Sequence, residues 1–409
     1  MFSDAVKCWI AAAALVALPL QAGAQSANAT LAGPDATPSL LRKDIPAQPS
    51  QRRSAQDWKA DFGKHTGLDF GIDYNLLGYA ANTSPGDDTS AGGAWRFFGR
   101  WNLLGRDGPN TGALVFKFEN RHSLDDTSPA NFGTALGYAG LVSSVFNDQG
   151  WRATHLYWQQ GFAGGRGVVW AGWLDTSDFV DVFALASPWS GFSNLAFQTG
   201  SGTIGGLPDG AFGTMAGGFL SDNIYMAASI VDANADPTDI FAGPDSLFSE
   251  GETFKTLELG WTSSAEALFL DNAHLTFWQI DRRSKAGTPS GHGVAFSYTK
   301  AVDNAWLLFG RGGWADGGGS LYEASLSGGF GYTESPGKRL TGVGLNWSRP
   351  NSDTFGPGLD DQQALEVFSR WQPVDGFEVT PSVQVIHQPA LNPTEDFIAL
   401  LGLRLRLAF

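Results

Sequence analysis

The end of the chain constrains the fold most. Phe397, Ala399, Leu401, Leu403, Leu405, Leu407 and Phe409 occupy every second position, with Arg404 and Arg406 between them. A period of two sets the apolar residues on one face of a strand and the arginines on the other. The same alternation recurs upstream. Leu68, Phe70, Ile72, Tyr74 and Leu76 alternate with Asp69, Gly71, Asp73 and Asn75, and Leu114, Phe116 and Phe118 alternate with Val115, Lys117, Glu119 and Arg121. Leu365, Val367 and Trp371 lie opposite Glu366 and Arg370; Phe377, Val379, Val383 and Val385 lie opposite Glu378, Thr380, Ser382 and Gln384. A soluble sandwich produces alternation too. Two features favour a membrane barrel. The segments approach the roughly 9–11 residues of a tilted spanning strand. Turn signals also separate them, at Gly105-Arg106-Asp107-Gly108, Asp148-Gln149-Gly150, Ser221-Asp222-Asn223, Val302-Asp303-Asn304, Ser335-Pro336-Gly337-Lys338 and Val374-Asp375-Gly376.

The start of the chain carries an export signal. Lys7 precedes a short apolar run, Cys8 to Leu20, and Ala22-Gly23-Ala24 supplies a small-residue cleavage site. The run is too short to span a bilayer as a helix. A cut before Gln25 assigns residues 1–24 to a signal peptide, 25–56 to an Ala/Pro/Ser-rich disordered arm, and 57–409 to the barrel. Removing 24 residues from 409 leaves 385, without a cysteine, because Cys8 is the only one. A large exported chain without disulfides holds itself together by a big core or by a closed backbone network.

Composition agrees with a barrel. The chain has 53 Gly, 29 Phe and 15 Trp, which suits many strands joined by tight turns and an aromatic interface belt. Mean hydropathy nevertheless sits just below zero, as expected when lipid-facing and water-facing residues alternate. Roughly sixteen segments are countable, one per about 24 residues, which leaves room for short turns on one side and longer loops on the other. The expected fold class is therefore all-β: a transmembrane antiparallel β-barrel of about 16 strands, with short periplasmic turns and longer extracellular loops in a Gram-negative outer membrane. Phe409 ends the last alternating run with an aromatic residue, as outer-membrane strands often do.

Other functions find little support. A net charge of −15 without a basic cluster argues against nucleic-acid binding. His65, His122, His155, His274, His292 and His387 lack metal-ligand spacing, and no nucleophile elbow or phosphate loop occurs. Asp87-Asp88, Asp125-Asp126, Asp232, Asp236, Asp239 and Asp360-Asp361 match no calcium loop. They read as solvated loops or as divalent bridges to lipopolysaccharide. No enzyme activity, cofactor or metal is expected.

The C-terminal third resembles the carbohydrate-selective porin family, the OprB type. The carrying stretches are Ala364-Leu365-Glu366-Val367-Phe368-Ser369-Arg370-Trp371, Thr380-Pro381-Ser382-Val383-Gln384, Asn392-Pro393-Thr394-Glu395-Asp396 and Leu401-Gly402-Leu403-Arg404-Leu405-Arg406-Leu407. Upstream, Leu220-Ser221-Asp222-Asn223-Ile224-Tyr225 and Val231-Asp232-Ala233-Asn234 are similar to the family's turn and following loop. The chain departs from the family at Lys59-Ala60-Asp61, where a Gly-rich run usually follows the Trp, and in its long arm. The resemblance implies sixteen strands and passive transport of small sugars such as glucose, by a monomer or a trimer.

A barrel this wide holds water, and long loops set its constriction. Residues 122–150 and 175–212 are the candidates. Sugar C–H faces stack on aromatic rings, and sugar hydroxyls suit arginine beside a carboxylate. The inward set on one strand is Lys117, Glu119 and Arg121. Arg96 and Arg100 join from the preceding strand, and Trp158 and Trp170 are the expected stacking surfaces. Arg404 and Arg406 read as wall lining or as charges at the periplasmic end. Three other readings stay open: a general or anion-preferring porin, an outer-membrane enzyme such as a phospholipase barrel, and a soluble secreted β-protein.

Overall fold

The alternating segments close into one antiparallel barrel in the computed structural model, which describes residues 55–106, 108–303, 305–335 and 339–408. The strands are β1 (Leu68–Ala81), β2 (Thr89–Leu104), β3 (Gly112–Ser123), β4 (Gly150–Phe162), β5 (Gly167–Leu174), β6 (Ala211–Phe219), β7 (Ile224–Asp232) and β8 (Thr253–Thr262). The second half comprises β9 (Asp271–Ile280), β10 (Gly291–Val302), β11 (Trp306–Gly317), β12 (Tyr322–Ser335), β13 (Arg339–Pro350), β14 (Gln362–Val374), β15 (Phe377–His387) and β16 (Phe397–Ala408). Each strand pairs with its neighbours in the chain, and β1 pairs with β16 from Asp73↔Ala408 to Ala81↔Leu400, so the sheet has no edge. The signal peptide assigned to 1–24, nearly all of the 25–56 arm, and Phe409 lie outside the described residues. A helix the sequence reading did not foresee, α1 (Ala55–Thr66), precedes β1 and stops at Gly67, whose φ of +76° suits a residue without a side chain.

Connections divide by side. Residues 163–166, 220–223 and 375–376 make short turns at one rim. At the other rim, 124–149, 175–210 and 233–252 are long, and the first two match the loops expected at 122–150 and 175–212. No described helix is long and apolar enough to cross a membrane. The strands do the crossing, because a closed ladder leaves no backbone N–H or C=O without a partner in hydrocarbon.

The outer wall fits lipid. Leu275, Phe277, Phe296, Tyr298, Leu308, Leu326, Leu345, Leu401 and Leu403 are exposed there, an apolar surface far beyond what a soluble monomer presents. Trp101, Trp261, Trp306 and Trp371 stand at the short-turn ends of β2, β8, β11 and β14, and Trp314 and Trp347 lie toward the long-loop ends of β11 and β13. Paired aromatic girdles of this kind mark the two interfaces of a bilayer.

The lumen is fuller than a wide, water-filled barrel would suggest. Loop 124–149, which carries the short helix α2 (Pro129–Leu136), turns inward and buries Phe132, Leu136, Tyr138, Val142 and Phe146 against Leu77, Tyr79 and Ile386 of the wall. Loop 175–210 buries Phe183, Leu185, Phe192 and Phe197 against Phe309 and Phe368. Phe192 lies 4.9 Å from Phe197, 5.5 Å from Phe309 and 5.0 Å from Phe368 between ring centroids. Each such pair contributes about 0.5–1.5 kcal/mol beyond area burial. The interior of this barrel is thus partly a packed core built from its own loops.

The lipid assignment of the wall has a direct test. Leu345, 63% exposed, sits midway along β13 on the outer face. Leu345→Arg in a vesicle-reconstituted barrel should cost about 2–4 kcal/mol of unfolding free energy, the penalty of a cation at bilayer mid-depth. A surface in water would lose almost nothing.

Candidate functional site

Four neighbouring strands place charged residues on a single lumenal rung. Asp73 of β1 pairs with Arg96 of β2, Arg96 with Glu119 of β3, and Glu119 with Arg152 of β4, so the sign alternates around the wall. The strands alternate in and out, so the rung follows directly from the sequence period. Opposite charges directly across a ladder stabilise the pairing. Arg96 donates from Nε to Asp73 Oδ1 at 2.9 Å and from Nη2 to Oδ2 at 2.6 Å, a bidentate pair. Arg406 of β16 donates to the same carboxylate at 2.9 Å, so it is more than wall lining. Arg121, two positions beyond Glu119, donates from Nε to Glu119 Oε2 at 2.7 Å.

Loop 175–210 supplies the facing side. Asp209, near its end, accepts from Arg152 Nη2 at 2.5 Å and from Arg121 Nη1 at 3.4 Å. Near its start, Asp178 accepts from Lys117 Nζ at 2.5 Å and meets His155 Nε2 at 2.7 Å. Burial alone would raise the Asp178 carboxyl, but the Lys117 ammonium and the hydrogen bond from His155 hold it below the usual carboxylate range. Neighbouring Asp175 is pushed up, first by burial and then by the Asp178 charge. In mid-loop, the Trp189 ring lies 4.2 Å from the Arg96 guanidinium and 5.7 Å from that of Arg121. Phe146 of the other loop meets it edge-on at 5.4 Å.

A cavity of about 260 Å³ opens between these groups. A single water occupies about 10–15 Å³ on the same measure. Arg121, Asp175, Asp178 and Asp209 line it with Ser144, Ser177, Gln198 and Thr199, while Trp189, Leu141, Val145 and Ile204 give it an apolar side. Glu119 Oε1 is buried without a hydrogen-bond partner. The site offers hydroxyl-binding groups beside an aromatic surface.

The structure brings Arg96, Lys117, Glu119 and Arg121 together as expected. Arg100 is inward but sits toward the short-turn end, donating to Gln159 Oε1 at 2.7 Å and Asn102 Oδ1 at 2.8 Å, away from the cavity. The two expected stacking surfaces are elsewhere. Tyr157 and Gln159 face the lumen, so Trp158 between them faces out, opposite Leu114 of the outer wall. Trp170 points inward but is closed over, stacked on Tyr157 at 5.1 Å and edge-on to Phe179 at 5.5 Å. Trp189 is instead the tryptophan that borders the cavity. Trp189, Asp175, Asp178, Asp209 and Arg152 were not singled out in the sequence; the one signal was four aspartates and scattered aromatics within the long loop 175–212.

Loop 175–210 is pinned across the lumen. Asp181 Oδ2 accepts from Arg311 Nη2 at 2.5 Å and from Gly200 N at 2.6 Å, and Oδ1 meets His274 Nε2 at 2.8 Å. Glu258 Oε2 accepts from Asp181 N at 2.9 Å. Further round, Glu366 accepts from the backbone N of Ser193 and of Asn194, each at 2.9 Å. Arg404 donates to Pro188 O at 2.8 Å and Gly191 O at 2.9 Å, a loop clamp where wall lining was expected.

Residues 262–409 match the model of a family described as carbohydrate-selective porin, OprB family. No curated protein matches the chain. Among solved structures, OprB of Pseudomonas putida at high pH aligns at a TM-score of 0.69 with 15% identity, over 87% of this chain and 96% of that one. The low-pH structure of the same protein aligns at 0.53 with 12% identity, over 88% and 100%. A triple mutant of the Rhodopseudomonas blastica porin aligns at 0.51 with 13% identity, over 84% and 100%. These similarities establish the fold: a closed sixteen-stranded porin barrel.

The Asp181 clamp has a defined pH response. Burial would raise its carboxyl, but Arg311, His274 and the Gly200 N–H hold it below the usual value. A carboxyl whose folded value is depressed stabilises fully above its unfolded value and loses that contribution as pH falls through the folded one. Single-channel current should therefore stay quiet from neutrality to about pH 4 and become noisy only below it. Asp181→Ala should produce that noise at neutral pH, with a loss of about 3–5 kcal/mol in stability from the stranded Arg311 charge.

Proposed function

We propose that this protein is a passive, sugar-selective diffusion channel that admits small carbohydrates such as glucose to the periplasm of a Gram-negative cell. One observation carries the reading: the Trp189 ring borders the cavity between two loops and lies against Arg96 and Arg121, with Asp209 and Glu119 as acceptors beside them. An aromatic surface takes the C–H face of a sugar ring, and fixed arginine and carboxylate groups exchange hydrogen bonds with its hydroxyls. The hydroxyls leave water without losing hydrogen bonds, so passage needs no energy input. In this reading Arg121 lines the path, Arg96, Lys117 and Glu119 hold its lining groups from behind, Arg100 lies in the vestibule, and Trp158 and Trp170 serve the wall. The family description of residues 262–409 supports the substrate class.

The rival is a general or anion-preferring porin. Asp178 and Asp209 present partly exposed carboxylates to the cavity, while the side chains of Lys117, Arg121 and Arg152 are nearly buried and paired with them. That arrangement disfavours anion preference.

Ion current through single reconstituted channels separates the two readings. Glucose should reduce the current at millimolar concentration. Trp189→Ala should raise the half-blocking concentration roughly two- to tenfold, as loss of one ring contact of about 0.5–1.5 kcal/mol requires. Current insensitive to glucose and maltose alike would leave a general porin.

A further inference from the structure

The helix α1 lies outside the barrel. Its Trp58 and Phe62 stack at 5.4 Å and both meet Phe70 edge-on, at 6.5 and 6.1 Å. Phe70 belongs to the lipid-facing series of β1, and the ring contacts continue along the outer wall to Phe97 at 6.4 Å and from there to Phe116 at 5.2 Å. Lys59 Nζ sits 5.2 Å from the Phe70 ring. The end of the helix is fixed in height: Thr66 O accepts from Trp101 Nε1 at 3.2 Å and from Arg106 Nη2 at 2.6 Å. Trp101 is a girdle residue at the short-turn rim, so α1 sits where that rim meets the bilayer. Trp58 remains 55% exposed on this outward side.

The charge of the segment differs from that of the rest of the chain. Between residues 42 and 66 stand Arg42, Lys43, Arg52, Arg53, Lys59 and Lys64 against Asp44, Asp57 and Asp61, in a chain whose net charge is −15. Basic residues flanking an aromatic interfacial helix are attracted to anionic headgroups, at about 1 kcal/mol each near the surface. A wholly water-facing helix would have no use for an exposed tryptophan continuous with the lipid wall.

We propose that α1 is an in-plane anchor whose occupant is anionic phospholipid of the periplasm-facing leaflet, with Trp58 at the acyl–headgroup boundary. The helix tethers the short-turn rim of the barrel to that leaflet.

Labelling tests the placement. In a Cys8→Ser background, Trp58→Cys carries a polarity-sensitive fluorophore in vesicles of phosphatidylethanolamine with or without phosphatidylglycerol. The expected result is quenching by spin-labelled phospholipid and resistance to aqueous iodide, both stronger with phosphatidylglycerol. Asp375→Cys, in a short turn, serves as the aqueous control. Iodide quenching equal to that control overturns the proposal. So does a label shielded from both quenchers, which would mean a protein segment covers the helix. Absence of any conductance in the parent protein would count against the channel reading alone, since the quenching pattern reads the helix independently.

Discussion

The ladder between β1 and β16 is the constraint on which the rest depends. An open sheet of this length would present unpaired N–H and C=O groups to hydrocarbon, each costing several kcal/mol. Pairing Asp73 with Ala408 and Ala81 with Leu400 closes the ring across more than three hundred residues of sequence. Closure fixes which side of every strand is outside. Once that is set, Leu345 and Leu401 must meet lipid, and Asp73, Arg96 and Glu119 must meet the interior.

Closure also creates a problem that the loops solve. A ring of sixteen strands is too wide for wall side chains to fill. Here the wall does not merely enclose water. Loops 124–149 and 175–210 bring in Phe132, Phe146, Phe192 and Phe197, and the wall holds them with polar groups aimed inward. Arg311, Glu366 and Arg404 each end on the backbone or on an aspartate of loop 175–210. A loop held at several points across the lumen positions Trp189 and Asp209 as rigidly as a strand would. That rigidity fixes the geometry of the cavity lining without a moving part.

The charged rung shows how electrostatics and topology reinforce one another. Asp73, Arg96, Glu119 and Arg152 are directly opposed because the registers of β1 to β4 align them. A one-residue slip in any of these registers would turn its charge toward lipid. The rung therefore specifies register. Asp209 completes it from the loop by bridging Arg121 and Arg152, two like charges that would otherwise repel.

The sequence by itself determined the parts that a period of two can encode. Alternation placed Leu68–Leu76, Leu114–Phe118 and Phe397–Leu407 on the lipid side and Lys117, Glu119 and Arg121 on the lumen side. The turn residues set the strand count, and two aperiodic stretches announced the lumenal loops. Only the tertiary structure decided what the loops do. Trp158 faces lipid because Tyr157 and Gln159 face in, and a bulge between Lys117 and Phe118 shifts the β3–β4 register that decides this. Trp170 is lumenal yet closed over by Phe179, a loop residue with no periodic signature. Trp189, Asp181 and Asp209 take their roles from partners as distant as Arg311. The physical reason is range: strand facing is a local property of backbone pleat, whereas a loop's contacts are set by which wall residues barrel closure brings opposite it.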